Sequence, residues 1–192
     1  FWLPALLSPT VVDFSNASPL FQWIENVGSP IFSTAIALLI IVTSALILND
    51  VINKNEIFSR NTFLPALIYL ISMSSIKEHQ VLSPIVISNL FWILAFKQLF
   101  NIYSQVPCKS QVFNATVLML LGGVFYFPSI VMVALVWVAL IILRPFVWRE
   151  WVLPFFAFII FGVYFIVALI WRNTFNNWLD YFTFDSEQYS SI

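Results

Sequence analysis

The chain has 192 residues, of which 61% are hydrophobic and 9% are charged, and its net charge is -1. An average soluble domain carries about 25% charged residues, and a chain of this length cannot hide so much apolar side chain from water. The composition therefore excludes a water-soluble globular protein. Nucleic acid is also excluded as a partner, because phosphate groups must be neutralised by clustered Lys and Arg.

The N-terminal region, residues 1–30, opens with a short apolar run at positions 1–7. This run is too short to cross a bilayer and lacks the basic flank of a signal peptide. We interpret it as the truncated end of a missing helix, so that residues 1–30 form an outer loop and interfacial segment. A processed or interfacial N-terminus is the alternative.

The apolar runs of the chain predict transmembrane helices, because only a helix satisfies its own backbone hydrogen bonds within lipid. About 20 apolar residues cross the hydrocarbon core, which predicts about five spans. They are the segments 31–48, 62–76, 84–103, 112–143 as a hairpin, and 151–171. The fold class is therefore all-α, a polytopic transmembrane helical bundle in residues 31–171.

Short and long runs alternate along this domain. The short run 62–76 precedes the longer run 84–103 across the polar turn 77–80, and the segment 112–143 bends at Phe127-Pro128. We expect two short/long helical hairpins. The two units are either an internal repeat or similar only because apolar helices are built from the same few residue types. Paired short segments of this kind line cavities in some membrane proteins.

The distribution of Lys and Arg predicts the orientation in the membrane, since short cytoplasmic loops retain these residues. One side of the predicted bundle receives most of them, namely Lys54, Lys97, Arg60, Lys109, Arg144 and Arg149. We expect this side to face the cytoplasm of a bacterial inner membrane. Residues 1–30 and the acidic, aromatic tail 172–192 then lie on the outer side.

The densest polar and aromatic cluster of the sequence is the turn between the last two predicted spans. It contains Arg144, Trp148, Arg149 and Trp151. Arginine and tryptophan at a membrane interface anchor a helix or bind lipid headgroups or partner chains. Lys97 joins these residues as a candidate lipid or partner interface, although a lysine near a helix end also reaches water simply by extending its stem.

Few residues offer chemistry. Asp13, in the predicted outer loop, is the candidate catalytic residue, because a general base must project into an accessible cavity near the leaving group. The alternative is a solvated acid in an ordinary turn. His79 is the only histidine and Cys108 the only cysteine, so we expect no metal site and no cofactor, and we place His79 in a solvated loop.

Three stretches of the sequence carry a family resemblance. The segments 60–66, 82–91 and 144–151 resemble a multi-pass inner-membrane protein family of Bacteroidota, a domain of unknown function. The resemblance covers about residues 55–155 and implies a location without an activity. Because members of that family look longer, it also implies an incomplete copy.

Three hypotheses about function follow. The first is a non-catalytic subunit or scaffold of a cell-envelope complex, whose partners are the lipid bilayer and other membrane protein chains. The second is a transferase acting on lipid-linked sugars or envelope polymers with Asp13 at an outer cavity, by a fold-level analogy with polyprenyl-phosphate glycosyltransferases. The third is a transporter of small solutes or lipids. The first leads, because substrate pathways usually need several ionisable groups within the spans.

Overall fold

A computed structural model describes Trp2, Phe21 and residues 29–58, 60–104, 108–143 and 146–171. These residues form six α-helices and two 3₁₀ helices, without a strand among them. The elements are α1 (Pro30–Lys54), α2 (Leu64–Ser74), the first 3₁₀ helix (Lys77–Gln80), α3 (Pro84–Ser104), α4 (Lys109–Phe125), the second 3₁₀ helix (Phe127–Val133), α5 (Ala134–Leu143) and α6 (Trp148–Trp171). The predicted all-α bundle is confirmed.

Proline marks where four of these elements begin. Pro30 and Pro84 are the first residues of α1 and α3, and Pro65 and Pro128 lie in the first turns of α2 and the second 3₁₀ helix. A helix tolerates proline in its first turn because the missing N–H has no intrahelical partner there. The predicted bend at Phe127-Pro128 is therefore the point where the chain leaves α4.

Two helices are longer than the apolar runs that predicted them. α1 continues past the polar residues at positions 49 and 50 to Lys54, helped by a hydrogen bond from Lys54 Nζ to Asp50 one turn earlier. α6 begins at Trp148, so the second half of the predicted turn 144–150 forms the first turn of a helix. The carbonyl of Val147 accepts hydrogen bonds from the amides of Glu150 and Trp151 there.

Three helical segments are long and apolar enough to cross a membrane, namely Pro30–Lys54, Pro84–Ile102 and Trp148–Val167. The segments Leu64–Ser74 and Phe127–Leu143 are apolar but shorter. At 1.5 Å per residue, the 11 residues of α2 reach about 16 Å, roughly half of a hydrocarbon core. The structure thus supports a membrane protein with three full-length candidate spans among the described residues.

The helices pack in a fixed order, in which α2 lies against α1, α1 against α3, α3 against α4, and α4 against α6. The most extensive contact joins α3 and α4. The main core cluster lies on this contact and includes Ala95, Ile102, Val112, Met119 and Leu140. α4 is therefore the central helix, and α2 packs mainly on α1, a partner that the sequence did not predict.

Two contacts fix the direction of α1 relative to α3. The amide of Leu82, just before α3, donates a hydrogen bond to Ser33 Oγ at the start of α1. Lys97, late in α3, lies beside Asp50, late in α1. The two helices therefore run in the same direction, and we call the end of the bundle at which both finish the basic end.

Candidate functional site

Three charged side chains of the long helices α1 and α3 meet at the basic end. Lys54 Nζ donates a hydrogen bond to Asp50 Oδ2 at 2.9 Å, and Lys97 Nζ lies 3.7 Å from the same oxygen. The side chains of Asp50 and Lys97 are each 40% exposed. We call these three residues the Asp50 cluster, and it joins α1 to α3 by charge at the basic end.

The Asp50 cluster gives Lys97 a partner that the sequence analysis did not assign. Lys97 was expected to reach the interface by itself, and Asp50 was not among the predicted site residues. The contact depends on the parallel packing of α1 on α3. The sequence does contain one sign of this contact, because an acid and a base each lie one to two turns before the end of their helix.

A second polar group lies in the interior, between α3, α4 and the second 3₁₀ helix. Ser88 Oγ donates a hydrogen bond to Ser129 Oγ at 3.1 Å, and both side chains are buried. A Cβ atom on Gly122 would lie 3.1 Å from Trp92 Nε1 and 3.2 Å from Ser88 Oγ. Glycine thus allows α4 to approach α3 closely, and the described side chains fill this seam.

The indole nitrogen of Trp92 faces the same seam. It is buried and has no hydrogen-bond partner among the residues that the structure describes. A buried donor without a partner carries a desolvation cost. The contact between α3 and α4 is therefore polar at this point, and the Trp92 N–H adds such a cost to it. Thr116, six residues before Gly122 on α4, satisfies its own hydroxyl by donating to the carbonyl of Val112 at 2.8 Å.

Polar side chains also tie α2 to α3. Asn89 Nδ2 donates to Tyr69 Oη at 2.8 Å and lies 3.6 Å from Met73 Sδ. At the far end of α2, Trp2 Nε1 donates to Ser74 Oγ at 2.7 Å. These contacts compensate for the small packing area of a helix that is only 11 residues long.

The predicted turn cluster divides into an outward and an inward part. Trp148 and Arg149 are exposed, with the guanidinium carbon of Arg149 5.8 Å from the centroid of the Trp148 ring. Trp151 is half-buried, contacts the Phe146 ring at 5.1 Å and accepts a hydrogen bond from Trp137 Nε1 at its carbonyl. Trp148 and Arg149 are thus accessible to headgroups or a partner, whereas Trp151 anchors α6 to α5.

The expectation that His79 lies in a solvated loop is wrong. Lys77 and Glu78 are exposed, but the His79 side chain is buried, and its Nδ1 has no hydrogen-bond partner in the described part of the chain. Burial lowers the pKa of His79, while the charge of Glu78 and a backbone hydrogen bond with Met73 oppose this shift. The 3₁₀ helix turns the imidazole inward because it packs against α1 and α2.

Two predicted site residues, Asp13 and Arg144, lie outside the described residues, as does the predicted tail 172–192. Among the residues that are described, no three His, Cys, Asp or Glu side chains come close enough together to hold a metal ion. Comparison with known proteins finds no matching family model, no matching curated protein and no matching solved structure. The geometry of the chain is thus the ground for a functional proposal.

Proposed function

We propose that the chain is a non-catalytic subunit or scaffold of a cell-envelope complex in a bacterial inner membrane. The observation that carries the proposal is the small share of α6 that its own chain covers. Only 17% of the most apolar 18-residue stretch of this helix is buried. A helix so little engaged by its own bundle offers a whole side to other membrane proteins.

The two sides of α6 differ clearly. The buried side consists of Glu150, Pro154 and Ala157, spaced three to four residues apart and therefore on one face. The opposite side bears Phe156, Ile159, Val163, Ile166 and Ile170, all exposed. Because lipid is as apolar as these side chains, helix association in a membrane depends on close packing, and this face leaves five side chains available to pack against a partner helix.

The packed interior favours a scaffold over a transport pathway. A pathway between the two predicted hairpins would need a polar chamber near the middle of the membrane. Within the described part of the chain, Ser88 instead bonds directly to Ser129, and Gly122 brings α4 against Trp92. The Asp50 cluster lies near the ends of α1 and α3, where headgroups and water neutralise charge.

We further propose that the basic end faces the cytoplasm. Alternation of the helices brings Lys54, Arg60, Lys97, Lys109 and Arg149 to this end, whereas Lys77 is the described cation at the other end. The positive-inside rule then puts residues 1–30 and 172–192 on the outer side. Single cysteines at Lys109 and Lys77, in a Cys108→Ala background, test this by labelling with an impermeant maleimide, which should modify position 77 from outside.

The scaffold proposal is tested by photo-crosslinking from α6 in native membranes. We expect p-benzoylphenylalanine at Ile159 or Val163 to form one discrete protein adduct, which mass spectrometry identifies. Phe156→Ala combined with Ile159→Ala should reduce co-purification of that partner several-fold. Leu67→Ala combined with Ile71→Ala, on the exposed face of α2, is the matched control and should leave co-purification unchanged. A monodisperse monomer with only lipid adducts at both α6 positions would contradict the proposal.

A further inference from the structure

An apolar stripe on the exposed face of α1 leads to the Asp50 cluster. On α1, Leu39, Thr43 and Leu46 precede Asp50 by 11, 7 and 4 residues, a spacing that puts them on the same face. Leu39 is 66% exposed and Leu46 is 54% exposed. The face of α1 that ends at Asp50 is therefore open and mostly apolar.

α3 has a similar pattern. Leu90 and Leu94 precede Lys97 by seven and three residues, and both are partly exposed. Because Lys97 reaches Asp50, the two stripes end at the same charged cluster. Thr43, the polar side chain in the α1 stripe, donates its hydroxyl hydrogen to the carbonyl of Leu39 at 2.7 Å. The two stripes thus offer apolar surface that leads to two ammonium groups.

The charge of the cluster is unbalanced. Two ammonium groups and one carboxylate leave one net positive charge at the basic end. Both ammonium groups point at one oxygen of Asp50, so they are close enough for a single phosphate group to contact both. A phosphodiester carries one negative charge and would make the assembly neutral.

We propose that the surface formed by these two stripes binds one anionic phospholipid, with its phosphate at Lys54 and Lys97 and its acyl chains along Leu46 and Leu94. Asp50 accepts a hydrogen bond from Lys54 and lies 3.7 Å from Lys97, so it offsets part of their positive charge. A zwitterionic lipid brings no net charge and binds less well. This inference goes beyond the scaffold role and does not depend on it, because it requires only that α1 and α3 lie in a membrane.

Native mass spectrometry of the full chain in detergent tests the proposal, with dioleoylphosphatidylglycerol titrated against dioleoylphosphatidylcholine. The wild-type chain should retain one phosphatidylglycerol preferentially. Lys97→Gln and Lys54→Gln should each weaken retention about fivefold, the effect of one basic residue near an anionic headgroup. Lys77→Gln, at the opposite end of the bundle, is the matched control and should not change it.

The Asp50→Asn variant separates lipid binding from a purely structural ion pair. Removing the carboxylate raises the charge of the cluster, so this variant should retain phosphatidylglycerol at least as well as the wild type. A purely structural pair predicts the same loss for Asp50→Asn as for Lys97→Gln. That result, or equal retention of both lipids by the wild-type chain, would overturn the proposal. Displacement of the lipid by millimolar inorganic phosphate would also overturn it, by showing a site for the free anion. Circular dichroism verifies that each variant is folded.

Discussion

Ile130 lies so close to Gly123 that a Cβ atom at position 123 would overlap with Ile130 Cγ1. This contact joins the end of α4 to the second 3₁₀ helix, and the Ser88–Ser129 hydrogen bond lies on the neighbouring side of the same turn. The reversal of the chain after α4 therefore depends on a residue without a side chain, at a place where the backbone has helical geometry.

The first prediction concerns this glycine. Gly123→Ala should destabilise the protein by about 1–3 kcal/mol, because the new methyl group forces Ile130 or the backbone to move in a packed interior. Thermal unfolding in detergent, followed by tryptophan fluorescence, measures the change. Gly162→Ala is the control, since nothing lies within 4 Å of a Cβ atom there, and alanine favours a helix by up to about 1 kcal/mol. Equal melting temperatures for the two variants would contradict the packing described.

The second prediction concerns Phe21. Its side chain is 1% exposed and packs with Leu82, just before α3, and with Ile87 in the first turn of α3. Phe21→Ala should cost about 3 kcal/mol, as expected for removing a buried aromatic ring. Phe63→Ala, at a position that is 75% exposed, should change stability by less than about 0.5 kcal/mol. A small effect at Phe21 would show that this ring does not anchor the N-terminal region to the bundle.

The third prediction concerns the hydrogen bond between Asn89 and Tyr69. We expect a double-mutant cycle of Tyr69→Phe and Asn89→Ala to give a coupling energy of about 0.5–1.5 kcal/mol, the range of interhelical hydrogen bonds in membranes. Reversible unfolding in mixed micelles of sodium dodecyl sulfate provides the free energies. Additive effects of the two substitutions would mean that α2 is held to α3 by packing alone.

The fourth prediction concerns pH. The pKa of His79 is lowered from its ordinary value of 6.5 because the side chain is buried. Below that value the unfolded chain binds a proton more readily than the folded chain, so stability should fall as the pH decreases from about 7 to 5. Unfolding measured at several pH values checks this decrease.

His79→Gln provides the control for the pH experiment. Glutamine keeps a polar side chain but does not titrate, so the decrease in stability between about pH 7 and pH 5 should become smaller. An identical decrease in both proteins would assign it to other titratable groups.

Much of the fold could be predicted because helix formation in a membrane is a local requirement. Each apolar run must satisfy its own backbone hydrogen bonds, so α1, α3 and α6 were expected close to where they lie. Helix ends were predicted less well. Polar residues near position 50 suggested an early end, but the i,i+4 pair of Asp50 and Lys54 continues the helix in the interface.

The candidate site was less predictable, because it depends on which helices meet. The sequence predicts a site residue at Lys97 because it is a charge inside a span. Its partner Asp50 lies on α1, which α2 separates from α3 in the chain. His79 was assigned to solvent from its polar neighbours, and only the packing of the 3₁₀ helix buries it.

The sequence by itself determined that this is a membrane protein, the approximate positions of its helices and the uneven distribution of its charges. These features follow from composition and from local backbone energetics. Only the tertiary structure decided the partners, namely that α1 and α3 run parallel with Asp50 beside Lys97, and that Ser88 bonds to Ser129 across 41 residues. Apolar helices are built from the same few residue types, so which helices pack together depends on their shape and on a few polar contacts. These contacts are visible only once the helices are packed.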